Sequence, residues 1–226
     1  MGHPILEYAN MLKDRKAIIT GGMSSIGQAV VGLFASQGAK TAIIDGDLSN
    51  ADDVVSKCQK AIDELGGYAD ILVCVADCRQ PESIGLTEFN KMFDICVTSA
   101  ILCAKTVIPG MLGQRRGNII IITHDLALSS MPGTAEVAAC SGALLAFSKN
   151  VAIEYIRYHV KSNCVLIPYG DSHSSLLGKP EPNDIANAAL WYACDISRNI
   201  TGDFIPVNGG MNYFEPSAAK GGGIKC

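Results

Sequence analysis

The sequence predicts an α/β domain in which a doubly wound parallel sheet carries helices on both faces. A short apolar run that ends at Thr20 passes through a glycine-rich turn into an amphipathic segment from Ile26 onward, as in the first unit of such a fold. Short apolar runs then alternate with segments of helical periodicity along the chain, and this alternation gives a parallel sheet. Hydrophobic residues form 48% of the 226 residues and charged residues 18%, which suits one domain with a large core.

The predicted elements follow one another in a regular order. Continuous apolar runs indicate strands at the buried centre of a sheet, and apolar residues three and four apart indicate helices. After the opening strand and helix, the order is strand 40–45, helix 52–65, strand 70–76, helix 87–112, strand 117–123, helix 134–158, strand 162–168, helix 182–195 and strand 204–207. We find no internal repeat, so residues 1–226 are predicted to form one domain with a flexible or partner-dependent tail at 215–226.

Charge and cysteine usage exclude several classes of function. The formal net charge of -4 offers no basic surface for nucleic acid. The longest apolar runs are broken by glycine or charge, so we expect no bilayer span, and the amino terminus lacks the pattern of a secretion signal. The nine cysteines include no C-x-x-C pair and fall mostly in apolar runs, so we expect free buried thiols, no metal site and a cytoplasmic protein.

The glycine-rich turn is the first candidate site. Gly21 and Gly27 allow a tight turn into a helix whose amino terminus offers free N–H groups to a phosphate. Ser25 lies between them, so the spacing is not G-x-G-x-x-G. Asp45, at the end of the second strand, is where such a fold binds ribose hydroxyls. On these residues alone, a dinucleotide site and a strand–turn–helix without ligand both remain open.

Five motifs together resemble the short-chain dehydrogenase/reductase family over nearly the whole chain. They are TGGMSSIG, YADILVCVAD, GALLAFSKNVAIEY, SNCVLIPYG and DIANAALWYACDISRNITGDFIPVNGG. They are similar to the family's TGxxxGIG loop, its NNAG strand end, the helix after its catalytic Tyr and Lys, its PG turn, and its carboxyl-terminal helix, ITG turn and VDGG strand end. The resemblance implies a Rossmann-like fold and, for an active member, hydride transfer with NAD(P).

The resemblance also locates the family's four catalytic positions, and none holds the family's residue. Val137 stands at the position of the general acid/base Tyr, and Ser141 at that of the Lys which lowers the phenol pKa. His124 replaces the Ser that orients the substrate carbonyl, and Cys96 replaces the relay Asn. Val137 cannot move a proton, and Ser141 carries no charge to lower a phenol pKa. We therefore predict that this chain has no catalytic residues for hydride transfer.

The family's cofactor positions are altered as well. Ser25 stands at the central loop glycine, where a side chain obstructs the approach of backbone to phosphate. Asp77 replaces the glycine of NNAG, so a carboxylate faces the anionic dinucleotide. The residues that still match the family pattern are Gly21, Ile26, Gly27 and Asp45. We predict that these are vestigial and that the chain itself binds no cofactor.

Two segments are shorter than the resemblance implies. Between residues 45 and 52 the family has a further strand–helix unit, and between residues 172 and 182 it has a mobile substrate lid. A site without a lid does not exclude water from hydride transfer. Both differences favour a chain that has lost the family's chemistry.

These losses predict a non-catalytic subunit. Family members usually form tetramers through two long helices, here 87–112 and 134–158, and through the carboxyl-terminal strand. We expect a hetero-oligomer, a heterotetramer, with a catalytic paralogue that holds NAD and oxidises a hydroxyacyl-CoA-type substrate. Two alternatives remain. One is an enzyme with non-redox acid/base chemistry at His124, beside Asp125 and near Cys96 and Cys140. The other is a regulator that senses a dinucleotide.

Overall fold

The computed structural model describes residues 9–76, 78, 85–129, 131–170 and 178–210. Asp77, most of the shortened lid segment and the tail at 215–226 lie outside the described residues. The strands are β1 (Lys16–Thr20), β2 (Lys40–Ile44), β3 (Ile71–Val75), β4 (Gly117–His124), β5 (Val160–Ile167) and β6 (Phe204–Pro206). The helices are α1 (Ser25–Ser36), α2 (Ala51–Glu64), α3 (Leu86–Phe93), α4 (Ser99–Gln114), α5 (Ala135–Tyr155) and α6 (Pro182–Ala193).

The six strands form one parallel sheet in the order β2-β1-β3-β4-β5-β6. This confirms the predicted Rossmann-like, doubly wound sheet, because the chain moves outward from β1 to β2 and then crosses to β3 on the other side. β2 is an edge strand, and only residues 45–50 separate it from α2. The chain therefore has no room for a further strand–helix unit at this point.

The helices cover both faces of the sheet. Successive strand residues point to opposite faces, so Ile18 joins the cluster under α2, α4 and α5, while Ile19 joins the cluster under α1 and α6. All eight residues of β4 are buried. This explains the unbroken apolar run that predicted β4, since a central parallel strand is covered on both faces.

One predicted helix is not regular. The stretch predicted as helix 87–112 forms α3 and α4, joined by a five-residue π-helical turn at Asp94–Thr98. In this turn the Ser99 hydroxyl donates a hydrogen bond to the Ile95 carbonyl. The wider turn hardly alters the apolar periodicity, so the pattern does not reveal it. Such π turns often lie at functional sites, and this one holds Cys96.

Two helical stretches, Leu86–Gln114 and Ala135–Tyr158, are long and apolar enough to cross a membrane by length and composition alone. This finding is weak evidence and does not contradict the predicted absence of a bilayer span, because isolated glycines and charges hardly lower the mean hydropathy of a long helix. Core helices of soluble proteins can be equally long and apolar. Here 50% and 44% of the most apolar 18-residue part of each stretch is buried inside the domain. The residues that are not buried in these stretches include exposed apolar side chains such as Ile153 and Ile156.

Candidate functional site

The candidate site lies at the carboxyl-terminal edge of the sheet, where doubly wound folds bind their ligands. The strand register brings the end of β1 beside the end of β3, with Thr20 opposite Cys74. It likewise places the end of β4 beside the end of β5, with His124 opposite Ile167. Residues far apart in sequence therefore meet along this edge.

The glycine-rich turn after β1 is closed by its own hydrogen bonds. The Ser24 hydroxyl donates to the Gly21 carbonyl at 2.8 Å and accepts from the Gly27 N–H at 3.0 Å. Gly21 has a φ of 63°, which glycine adopts without strain. The Ser25 side chain is exposed and Ile26 is half-buried. The Gly27 N–H, one of the free groups that a helix amino terminus offers to a phosphate, is therefore already occupied.

A small cleft remains where a dinucleotide fold holds its cofactor. Its volume is about 140 Å³, and it is lined by Gly21, Asp45, Cys96 and Ser99, among others. The structure thus brings together two predicted cofactor positions and the predicted relay position. Pockets that hold drug-sized ligands measure about 300–1,000 Å³. The cleft between the described residues is smaller than this range.

The predicted positions on α5 lie in the core. Val137 and Ser141 have no exposed surface. The Thr123 hydroxyl, on β4, donates to the Ser141 hydroxyl at 3.3 Å. Neither α5 residue lines the cleft beside Gly21. The two predicted positions of the family's Tyr and Lys therefore lie in the core and do not line this cleft.

His124 ends β4 and is also buried, with 3% of its surface exposed. Its Nε2 lies 3.1 Å from the Cys78 carbonyl oxygen. Because a carbonyl oxygen only accepts, Nε2 carries the proton of this bond. The Tyr169 ring meets the imidazole edge-on, with 5.0 Å between ring centroids. Tyr169 follows β5, and sequence reasoning missed it because only the register of β4 and β5 places it here.

Asp125 follows His124 and is 3% exposed. Its Oδ2 accepts a hydrogen bond of 2.9 Å from Asn208 Nδ2, which joins the end of β4 to the loop after β6. Burial raises the pKa of Asp125, while the bond from Asn208 and the nearby His124 oppose that shift. Asn208 was also missed by sequence reasoning, because 83 residues separate the partners.

We expect Asp125→Asn to flatten the pH dependence of stability between acid and neutral pH. Because the folded-state pKa is raised, the folded chain binds the proton more tightly, and stability falls as pH rises from the unfolded-state pKa through the folded-state pKa. An amide still accepts from Asn208 but cannot ionise. Urea unfolding across this pH range measures the slope, with the exposed Asp63→Asn as control. A slope unchanged in Asp125→Asn and equal to that of the control would contradict this explanation.

Three cysteine thiols lie close together beside His124. Cys78 lies within side-chain contact of Cys96 and Cys140, and all three are buried. The contacts with Cys140 and Cys96, and then burial, raise the pKa of the Cys78 thiol. The eight cysteines of the described residues are free thiols, and within those residues no group of three or more His, Cys, Asp or Glu side chains could hold a metal ion.

The sheet order, the glycine-rich turn after β1 and Asp45 after β2 define a Rossmann-type α/β domain of the dehydrogenase kind. A family model described as short chain dehydrogenase matches residues 43–175, which is more than half of the chain. The chain belongs to this family.

The chain is similar to several characterised proteins over most of their length. Secoisolariciresinol dehydrogenase of Forsythia intermedia is 29% identical, with 90% of this chain and 91% of the relative aligned. The 3-oxoacyl-[acyl-carrier-protein] reductase FabG of Chlamydia trachomatis is 27% identical, with 90% and 99% aligned. Both alignments, of 258 and 254 positions, are longer than the 226 residues of this chain. The relatives therefore contain segments that this chain lacks.

Solved structures share the fold. A 3-oxoacyl-[acyl-carrier protein] reductase with bound NAD from Brucella melitensis superimposes with a TM-score of 0.81 at 21% identity, covering 93% of this chain and 96% of its own. The protein gox2181 gives a TM-score of 0.82 at 21% identity, covering 91% and 99%. At this level of identity the likeness concerns the fold alone.

Proposed function

We propose that this chain is a non-catalytic subunit that assembles with a catalytic, NAD-dependent member of the same family. One observation carries the proposal. The positions of the family's Tyr and Lys hold Val137 and Ser141, which have no exposed surface. A valine has no proton to transfer, and a side chain without exposed surface cannot contact a substrate. The chemistry therefore belongs to another chain.

The cofactor of this assembly is NAD bound by the partner. The cleft of about 140 Å³ beside Gly21 and Asp45 is smaller than a dinucleotide needs. The Ser24 hydroxyl already occupies the Gly27 N–H. These two features support a chain that keeps the turn for folding and leaves the cofactor to its partner.

The helices α4 and α5 are the surface we propose for assembly. The helical stretches Leu86–Gln114 and Ala135–Tyr158 are apolar in composition, and only 50% and 44% of their most apolar parts are buried within the domain. At the end of α5, Ile153 is 76% exposed and the following Ile156 is 50% exposed. Exposed apolar side chains grouped at one end of a helix suit a protein interface. In this proposal a partner of the same family contributes its own pair of long helices.

The partner's substrate is, in this proposal, a hydroxyacyl-CoA-type molecule. The particular assembly we propose is that of the hydroxybenzyl-succinyl-CoA dehydrogenase of anaerobic toluene degradation, in which an inactive subunit accompanies an active one. The many free thiols suit a reducing cytosol. FabG and the Brucella reductase, named for acyl-carrier-protein substrates, are relatives or fold neighbours with acyl chemistry.

The test is co-expression with a neighbouring dehydrogenase paralogue, followed by calorimetry with NADH. We expect the two chains to co-purify and the complex to bind NADH. We expect the isolated chain to show no submillimolar binding and no turnover. A homo-oligomer that never co-purifies with the paralogue would refute the assembly. Submillimolar NADH binding by the isolated chain would refute the cofactor assignment and favour a dinucleotide sensor.

The contact between His124 and Tyr169 favours a second candidate, an enzyme with new acid/base chemistry. The burial of His124 counts against this candidate, since only 3% of its surface is exposed for contact with a substrate. The same co-expressed complex distinguishes the two. Turnover unchanged in His124→Ala supports the non-catalytic role, whereas a loss of turnover at normal yield and melting temperature supports the second candidate.

A further inference from the structure

A second cavity lies at the opposite, amino-terminal edge of the sheet. Its volume is about 580 Å³, which falls within the range of about 300–1,000 Å³ typical of small-molecule sites. The first residues of β3, β4 and β5 line it, together with Arg15 before β1. It therefore has no part in the cleft beside Gly21, and the proposed function does not use it.

The cavity lining is positively charged although the chain is not. Four cationic side chains and two carboxylates line it, whereas the chain carries a formal net charge of -4. The cationic residues are Arg15, Arg116, Lys161 and Arg198, and the acidic residues are Asp70 and Asp195. A concave surface of one predominant sign concentrates ligands of the opposite sign.

Both carboxylates already accept hydrogen bonds from other residues of the chain. Asp70 is buried and accepts from the Lys16 N–H at 2.9 Å and from the Arg116 guanidinium. Asp195 accepts from Arg15 at 2.7 Å, and its carboxylate side chain is 81% exposed. Water therefore screens the Asp195 charge. The cationic groups that are not paired with a carboxylate are Lys161 and Arg198, and Arg198 lies at the exposed rim of the cavity, where water screens its charge as well.

Lys161 is held by neutral groups. Its ammonium donates to the Tyr192 carbonyl at 3.2 Å, to the Ser197 carbonyl at 2.9 Å and to the Ser197 hydroxyl at 3.1 Å. Within the residues that the structure describes, it forms no salt bridge. Burial lowers the pKa of Lys161, although Cys194 and Asp195 oppose that shift. An anion in the cavity would offset a charge that these carbonyls orient but do not neutralise.

Asn118 provides an independent sign of a missing ligand. It lines the cavity and is 5% exposed. Its Nδ2 donates to the Tyr192 carbonyl, which fixes the orientation of the amide. Its buried Oδ1 has no hydrogen-bond partner in the described part of the chain. A buried acceptor without a donor is costly, so a ligand hydroxyl that donates to Oδ1 would relieve this cost.

We propose that this cavity binds a small organic oxyanion that also carries a hydroxyl group. The carboxylate or phosphate lies against Lys161 and Arg198, and the hydroxyl donates to Asn118 Oδ1. The carbon skeleton contacts the apolar part of the lining, which includes Ile71 and Val160. The site is distinct from the cleft beside Gly21, because it lies at the other edge of the sheet, although Ile156 of the proposed assembly surface also lines it.

Calorimetry on the full chain tests the site with two hydroxylated probes, 3-hydroxybutyrate and glycerol 3-phosphate, and one probe without a hydroxyl, butyrate. We expect at least one hydroxylated probe to bind, and the one that binds identifies the anion as carboxylate or phosphate. If 3-hydroxybutyrate binds, butyrate should bind at least about tenfold more weakly, since a lost hydrogen bond to a buried acceptor is worth about that factor. This comparison needs no substitution, so a folding defect cannot obscure it.

Two matched variants test the residues. Arg198→Gln should weaken binding by about tenfold, as expected for a lost charged contact, whereas Arg157→Gln, an exposed arginine outside the lining, should leave it unchanged. Equal weakening in both variants would show a general charge effect and refute the site. Absence of binding by both hydroxylated probes would refute it as well. Neither result bears on co-purification with the paralogue.

Discussion

Gly27→Ala is expected to destabilise the domain by about 3 kcal/mol or more, the upper end of the cost of overpacking. A Cβ at position 27 would lie 2.1 Å from the Gly21 carbonyl oxygen and 2.7 Å from the Gly22 Cα. Both neighbours are backbone atoms of the turn, which is itself fixed by the bonds of Ser24. Neither atom can move without opening the junction between β1 and α1.

Gly32→Ala in the same helix is the matched control. A Cβ there has no neighbour within 4 Å, so alanine should stabilise the helix by about 0.5–1 kcal/mol. Urea unfolding of both variants without any dinucleotide gives the two free energies. If Gly27→Ala folds as stably as the unmodified chain, the turn has more space around position 27 than this structure shows. Steric exclusion of a Cβ would then not explain why glycine is present.

This comparison bears on function because the glycine has two possible reasons to persist. In a cofactor-binding member, Gly27 serves both the backbone turn and the approach to phosphate. A large loss of stability in the cofactor-free chain would show that folding is a sufficient reason to retain it. The glycine-rich turn then identifies the family without implying that a phosphate binds here.

The order of strands and helices could be predicted because each element has its own period in sequence. β4, an unbroken apolar run, is covered on both faces, and the predicted range 117–123 differs from Gly117–His124 by one residue. The π turn at Asp94–Thr98 could not be predicted, since it changes the helix geometry without changing the apolar pattern. Residue identity reveals periodicity, and small variations within a helix depend on packing.

The sequence could predict which residues occupy the candidate site, but it could not predict which of them contact one another. The motifs place Val137, Ser141 and His124 by position along the chain, but whether such residues face solvent depends on how α5 packs against β4. The bond between Asp125 and Asn208 joins partners 83 residues apart. The basic cavity likewise arises from strand beginnings that only the sheet brings together. Long-range pairing of this kind leaves no local pattern to read.

Restoring the family's lysine with Ser141→Lys is expected to cost about 3–5 kcal/mol of stability, the cost of an uncompensated buried charge. Ser141 has no exposed surface, and its hydroxyl accepts from Thr123. Burial lowers the pKa of a lysine, so the variant should recover stability as pH rises from its folded-state pKa towards the unfolded-state value.

Ser141→Ala is the control, because it removes only the bond from Thr123 and should cost about 1 kcal/mol or less. Urea unfolding from neutral to alkaline pH separates the two variants, since only the lysine should show the rise. If the proposed function is right, the double variant Val137→Tyr with Ser141→Lys should show no dehydrogenase activity, because both positions are buried and do not line the cleft. A Ser141→Lys protein as stable as the unmodified chain would mean that position 141 is open to water. The replacement of the family's Tyr and Lys would then have occurred in a pocket that still admits a substrate.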